Sequence, residues 1–465
     1  MKKNKKPSGV LSKIEILLAS VLFFTMLFSC GLYINIKMNG EISSLPPLPE
    51  NEKRQLVRAV ASDSFTYADD LLEPVFVGFK NGDDMVCATP DDEIRRTIET
   101  TVYDSLYTLF SGKHSRRTFE NQNETQKYID DLKNSDTYML ISFFCDMPAE
   151  IFLPCISKNY ELSHRQEESF MIKHLFLLPD DNDQLYGVSV SENNDVNVII
   201  PSENINFGKI VSGSYDVNDG YSDFEYLDLP GIYPVLSTSF ASNYYKVEPY
   251  SALFGIETDS SYTSKLFDIF GINSSLVKSF ASGDKSEMNY VYEGNELVLK
   301  NDGDVIYRSS EGDGIYLEEI LGYFPHDKSG YGYVDKIFAI KNIVNGLRSK
   351  NDKISFSLTK IEYDAENGRN TYYLKLFADG VLVTDDEYDA CFEFAGDSLN
   401  SAYIRFLSVK KIESEKKLLM PQKYAAILSD TEFDVYCAVL SESEKQDVKE
   451  IKWAGFSSSV KEVNS

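Results

Sequence analysis

The longest apolar run of this chain comes first. From Ile14 to Ile36 the side chains are apolar or small, apart from Glu15 at one edge and Asn35 near the other. At about 1.5 Å per residue, a helix of that length crosses the roughly 30 Å hydrocarbon core of a bilayer. Lys2, Lys3, Lys5, Lys6 and Lys13 precede the run, and only Lys37 follows closely. Positive flanks stay in the cytoplasm, so the pattern predicts a cytoplasmic tail at 1–13, a transmembrane helix at 14–36 and an extracytoplasmic remainder. A cleaved signal peptide fits less well, because apolar residues continue past Ser29-Cys30-Gly31 and no A-x-A site closes the run. A lipoprotein signal at Leu27 to Gly31 has the bulky Phe28 against it. Either alternative leaves the rest of the chain on the same side of the membrane.

Beyond the helix the pattern shortens to strand and helix lengths. Residues 37–62, with Pro46, Pro47 and Pro49, predict a stiff juxtamembrane linker. A first outer domain is expected at 63–240. It opens on a hairpin, Glu73 to Lys80, turning at Asn81-Gly82 into Asp84 to Cys87. Thr89-Pro90-Asp91-Asp92 then starts a helix whose stripe is Ile94, Ile98, Val102, Leu106 and Phe110. A second helix at 125–133 is followed by strands at 138–145, 150–153, 174–178, 184–191 and 196–200. Residues 201–240, rich in Gly, Ser, Asp and Asn, read as a long connection.

A middle domain at 241–350 carries a helix at 263–270 closed by Gly271, then a three-strand meander at 288–293, 296–300 and 304–309. A long helix at 333–348 ends it. A third domain at 351–465 repeats the order of strands, turn and helix. Its strands are expected at 353–363, 371–377, 381–384, 388–394, 402–410, 432–440 and 448–453, with a helix at 422–428. The fold class is α+β with antiparallel sheets.

Composition narrows the function. Of 46 basic and 73 acidic residues, five lysines and Glu15 precede residue 37, so 41 basic and 72 acidic residues remain and the outer part carries a charge of −31. Such a surface repels nucleic acid and stays off anionic lipid headgroups; it suits solubility, or docking to a basic partner. The 30 Tyr and 29 Phe fit half-buried sheets. Cys87, Cys145, Cys155, Cys391 and Cys437 are odd in number and irregular in spacing, which favours buried free thiols; a Cys145–Cys155 bridge stays open.

No motif for chemistry is found. His114, His164, His174 and His326 form no metal-binding pair, and His114 is expected in a basic surface loop, Lys113 to Arg117. There is no G-x-S-x-G elbow and no phosphate-binding glycine loop. Asp216 to Gly220 begins like a calcium loop, but its glycine comes one position early and Leu227 stands at the twelfth position. No enzyme, metal or cofactor is expected.

Several stretches resemble the YycH family, membrane-anchored regulators of an essential cell-wall two-component system in low-GC Gram-positive bacteria. They are Tyr67 to Val77, Phe270 to Lys278, Tyr290 to Leu299 and Asp304 to Tyr307, within a layout of basic tail, one helix and large outer region. Ile451-Lys452-Trp453 is similar to the closing Pro-x-Trp strand of relatives, an ending shared with the related YycI family. The resemblance implies a regulator that contacts a sensor histidine kinase through helix and outer domain, beside a sister YycI-like protein. Thr25 and Ser29, four apart on one face, with Ala19, Ser20 and Gly31, are the small or hydroxyl residues through which a membrane helix would pack on a partner. The competing expectations are an outer ligand- or cell-wall-binding module, or a cell-wall hydrolase.

Overall fold

In the computed structural model, the described residues lie within 71–456, apart from 90–105, 107, 153–169, 209, 211–220, 230, 250–259, 284–285, 311–313, 323–330, 348–353, 365–366, 379, 430–432, 434 and 444–447. They belong to one compact unit, Val60–Ser465.

Two antiparallel sheets carry the fold. The first takes its strands from the N-terminal half: β1 (Phe76–Asn81), β2 (Asp84–Ala88), β3 (Lys113–Arg117), β4 (Thr137–Pro148), β5 (Met171–Pro179), β6 (Leu185–Val190), β7 (Val196–Ile200), β8 (Tyr221–Tyr226) and β9 (Pro234–Leu236). Their order across the sheet is β3-β7-β6-β5-β4-β1-β2-β8-β9. The hairpin β1–β2 pairs Asn81 with Asp84 around Gly82, which sits at φ +64°, a backbone region that glycine enters without a side-chain clash. Helix α1 (Gln122–Asn134) begins three residues earlier than its apolar stripe suggests. Asn121 caps it by accepting the Glu124 amide at 3.1 Å, and Glu124 reaches back to the Glu120 amide at 3.1 Å, satisfying two donors that a helix start leaves open.

The second sheet is built from everything after residue 239. Its strands are β10 (Phe240–Pro249), β11 (Lys278–Ala281), β12 (Glu287–Tyr292), β13 (Asn295–Lys300), β14 (Asp304–Ser309), β15 (Ile315–Tyr316), β16 (Ile354–Asp364), β17 (Arg369–Ala378), β18 (Val381–Leu382), β19 (Ala390–Ala395), β20 (Ser398–Arg405), β21 (Leu407–Leu419), β22 (Val435–Glu442) and β23 (Lys449–Phe456). The path runs β11-β12-β13-β14-β20-β19-β17-β18-β22-β23-β10-β21, with β15 on β20 and β16 on β17. One contact, Leu382 with Val439, is parallel. β14 pairs with β20, so the segments 241–350 and 351–465 meet in one sheet. Helices α2 (Ser260–Ile269), α3 (Leu317–Leu321) and α4 (Tyr333–Leu347) join its core, and α5 (Gln422–Ile427) follows β21.

One hydrophobic core links the two sheets. Met139, Ile141, Phe143, Leu175 and Leu177 of the first belong to the same buried cluster as Leu299, Phe356, Leu374, Phe392 and Ile404 of the second. Phe152 stacks on Phe110 with centroids 4.7 Å apart and takes the edge of Phe143 at 5.1 Å.

Four expectations change. The stretch 201–240 is not a plain connection, since β8 pairs with β2 and β9 with β8, extending the sheet by two strands. Residues 149–151 form a 3-10 turn rather than a strand, entered after the Phe170 carbonyl accepts the Ala149 amide at 2.8 Å. The basic run 113–117 is edge strand β3 on β7, with His114 tilted against the Phe170 ring at 4.8 Å. The strand expected at 402–410 is two strands. Phe406 breaks it by donating its amide to Gly303 O at 2.9 Å, after which β21 pairs with β10. The helix expected from Thr89 lies outside the described residues except near its end, where Leu106, Leu109 and Phe110 are buried.

Candidate functional site

The residues expected to pack a membrane helix on a partner, Ala19, Ser20, Thr25, Ser29 and Gly31, lie outside the described residues, as does the whole span 14–36. Among the described residues no helix is long and apolar enough to cross a membrane. His164, His326, Cys155 and the loop 216–220 are also outside them. The Cys87, Cys145 and Cys437 side chains are buried, and that of Cys391 is half-buried. Burial raises the Cys145 and Cys391 thiols above their ordinary range, which keeps them protonated and unreactive.

Two polar clusters deserve a chemical reading. The first lies where β4 meets β5. Ser142 and His174 are direct cross-strand partners, and Oγ lies 2.9 Å from Nδ1. This is the pairing that nucleophilic chemistry uses, but burial, aided by Lys173, pushes the imidazole down to about 3. The ring is therefore neutral near pH 7 and serves Ser142 as a hydrogen-bond partner. Beside it the buried Lys173 bridges Glu192 at 2.7 Å. Asp146 accepts the Glu192 amide at 2.9 Å, and burial pushes its carboxyl up to about 6. The cleft here, between the sheets, is lined by Ser142, Lys173, His174, Gln422, Tyr436 and Trp453 among others, and its volume is about 50 Å³. That is well below the roughly 300–1,000 Å³ of typical sites for small organic ligands.

The second cluster pins the middle of the large sheet. Asp389, fully buried, accepts the Leu376 amide at 2.8 Å and the Thr384 hydroxyl at 2.7 Å. Arg405 donates to Asp304 at 3.2 Å and pairs with Asp386, while Tyr403 donates to Asp304 at 3.0 Å. Lys375 donates to the Asp386 carbonyl and sits 4.5 Å over the Phe456 ring. Every charge here has a partner in the fold, as interior ions require. Among the described residues no group of three or more His, Cys, Asp or Glu is arranged to hold a metal.

The surface is more informative. The sheet path ends on β11 at one side and β21 at the other. On β11 all four residues are exposed, and Phe280 there and Leu276 just before it present bare apolar side chains. At the other end stands a larger group: Leu418, Met420, Tyr424, Ile427 and Leu428 are 54% to 73% exposed. Helix α5 is held by its other face. Gln422, buried, accepts the Leu236 amide at 3.0 Å and donates to the Tyr436 carbonyl, and Ala426 packs with Leu227 and Val235. Trp453 donates its indole N–H to the Met420 carbonyl at 2.9 Å beneath the group.

Comparison with known proteins places the fold. No family model matches the sequence, and no curated protein matches it either. A crystal structure of an uncharacterized protein from Eubacterium rectale aligns at a TM-score of 0.31 and 11% identity, over 47% of this chain and 76% of that one. The crystal structure of YycH from Bacillus subtilis aligns at a TM-score of 0.54 and 10% identity, over 84% of this chain and 95% of that one, so the chain has a fold similar to that of YycH across nearly the whole length of the latter.

Proposed function

We propose that this chain is a membrane-anchored, extracytoplasmic regulator of a two-component sensor histidine kinase that controls cell-wall homeostasis. It acts by contact, through a transmembrane helix at 14–36 and through its outer unit, beside a sister YycI-like protein. The observation that carries this reading is the fold likeness to YycH, which spans both sheets. The interior of the outer unit supports it. Two of its polar clusters are tied into the fold by hydrogen bonds and ion pairs. What the unit offers instead is contact surface, including the exposed Leu276 and Phe280.

Photo-crosslinking in membranes from a live host tests the reading. Crosslinkers placed at Thr25, Ser29 and Phe280 are expected to capture a histidine kinase, and exchange of 14–36 for an unrelated spanning helix is expected to abolish control of the kinase. Full control by the exchanged chain sinks helix-borne signalling; capture of peptidoglycan in place of a kinase favours a wall-binding module.

A further inference from the structure

Asparagine followed by glycine is the pair at which a polypeptide most easily modifies itself. Glycine has no side chain to keep its backbone nitrogen away from the asparagine Cγ, and attack there closes a succinimide ring. The chain holds four such pairs: Asn39-Gly40, Asn81-Gly82, Asn345-Gly346 and Asn367-Gly368. The first lies outside the described residues, and the fold treats the other three differently.

Attack needs a glycine nitrogen free of other bonds and an asparagine that can turn its Cγ toward it. At Asn81-Gly82 the nitrogen is engaged, because Gly82 donates its N–H to the Asp136 carbonyl at 2.8 Å. Asn81 itself ends β1 and is paired on both sides, with Asp84 of β2 and Thr137 of β4. Asn345 and Gly346 both lie in α4, where the helical ladder takes up the backbone N–H groups. Gly346 also packs against α2, since a Cβ there would come 2.8 Å from Ile269 Cδ1. Asn367 and Gly368 are exposed in the turn between β16 and β17. Among the described residues the Gly368 N–H makes no hydrogen bond. Gly368 sits at φ +62°, and a Cβ there would meet nothing within 4 Å. Exposure does not separate this pair from Asn81-Gly82, whose residues are exposed too; the state of the glycine nitrogen does.

One restraint remains at the open pair. Asp364 accepts the Asn367 backbone N–H at 3.2 Å and its Nδ2 at 2.6 Å, which ties the side chain back toward β16. Asp364 is itself exposed, so both bonds exchange with water.

We propose that Asn367 is a site of spontaneous deamidation in the folded protein, with the Asp364 carboxylate as its brake. The Gly368 nitrogen gives its proton to a solvent base and bonds to Asn367 Cγ. The Cγ–Nδ2 bond breaks, and Nδ2 leaves as ammonia with a proton from water. A second water then opens the ring at either carbonyl, leaving aspartate or isoaspartate; no oxidant or reductant takes part. The product sets a carboxylate where Nδ2 now donates, so two like charges face each other and the tie that closes the turn is lost. The inference does not depend on the regulator reading.

The test follows the full chain, kept folded at mildly alkaline pH, by peptide mass mapping over time. The same chain in concentrated urea is the reference, and there the three pairs should convert at similar rates. In the folded chain residue 367 is expected to convert at least about fivefold faster than 81 and 345, the factor set when a backbone hydrogen bond must open first. Asp364→Ala should quicken conversion at 367 and leave 81 and 345 unchanged. If residue 367 fails to outpace both other sites in the folded chain, the proposal is overturned. Conversion at 81 or 345 at the urea rate overturns it as well, and so does an Asp364→Ala chain, folded by circular dichroism, in which residue 367 converts no faster.

Discussion

His174 and Asp146 are half-buried groups whose ionisations oppose each other, and together they make a sharp prediction about pH. The imidazole is pushed from 6.5 to about 3 because its charged form is poorly solvated where it lies. Its neutral form is required by the fold, so its contribution is fully present above 6.5 and is lost as pH falls toward 3. Between pH 8 and pH 5 the loss is about 2 kcal/mol. The Asp146 carboxyl is pushed the other way, from 3.8 to about 6, by the same burial. Its charged form is penalised by the fold, so the penalty is full above 6 and is relieved as pH falls; over the same interval about 1.4 kcal/mol returns. The two nearly cancel.

Substitution separates them. His174→Gln keeps a partner for the Ser142 hydroxyl and removes the titration. Relative to the parent, its stability should rise by about 2 kcal/mol on going from pH 8 to pH 5. Asp146→Asn keeps an acceptor for the Glu192 amide, and should instead lose about 1.4 kcal/mol relative to the parent over that interval. Other carboxylates and the Lys173–Glu192 pair are common to all three chains, so the comparison isolates the two groups. Urea unfolding of residues 60–465, followed by circular dichroism at both pH values, measures the differences. Parallel pH profiles for the parent and His174→Gln would show that the imidazole is not held neutral, and the account of Ser142–His174 as a structural pair would fail with it.

Three further perturbations probe the joints of the fold. Phe152→Ala empties a fully buried site between Phe110 and Phe143 and should cost about 3–5 kcal/mol in thermal unfolding; a loss below about 1 kcal/mol would mean the aromatic cluster is not packed as described. Gln422→Ala leaves the Leu236 amide and the Tyr436 carbonyl without their side-chain partner, at about 1–3 kcal/mol each, and amide exchange at Leu236 should accelerate while that at Leu376 stays slow. Gly303→Ala sets a Cβ against the Phe406 carbonyl at a φ of +99°, and about 1–3 kcal/mol of stability should go with it; unchanged stability would argue against the sharp break between β20 and β21.

Much of this architecture was legible because local chemistry and global fold agree. The meander β12–β13–β14 follows from the turn signals around Gly294 and at Asn301-Asp302-Gly303 between alternating runs, and β16–β17 from Asn367-Gly368; Gly294, Gly303 and Gly368 all take positive φ, although the β12–β13 turn also holds Glu293 at φ +47°. The missed strands fail that test. β8 (YSDFEY) turns Ser222 and Phe224 inward within a polar stretch, and β3 (KHSRR) carries almost no apolar signal because it is an edge strand. Pairing with β2 and β7, hundreds of atoms away in the chain, decides both.

The sites were less legible for a different reason. Ser142 and His174 are 32 residues apart, and only the register of β4 on β5 sets them face to face. The surface at 418–428 is the stronger case. Read as a helix, Gln422 to Leu428 places its best apolar residues, Ile427 and Leu428, on a face that local rules would turn toward the core. The fold does the opposite: Gln422 turns inward, accepting from the Leu236 amide of β9 and donating to the Tyr436 carbonyl of β22. Where local preference loses to a tertiary constraint in this way, the exposed apolar face is the residue of that conflict.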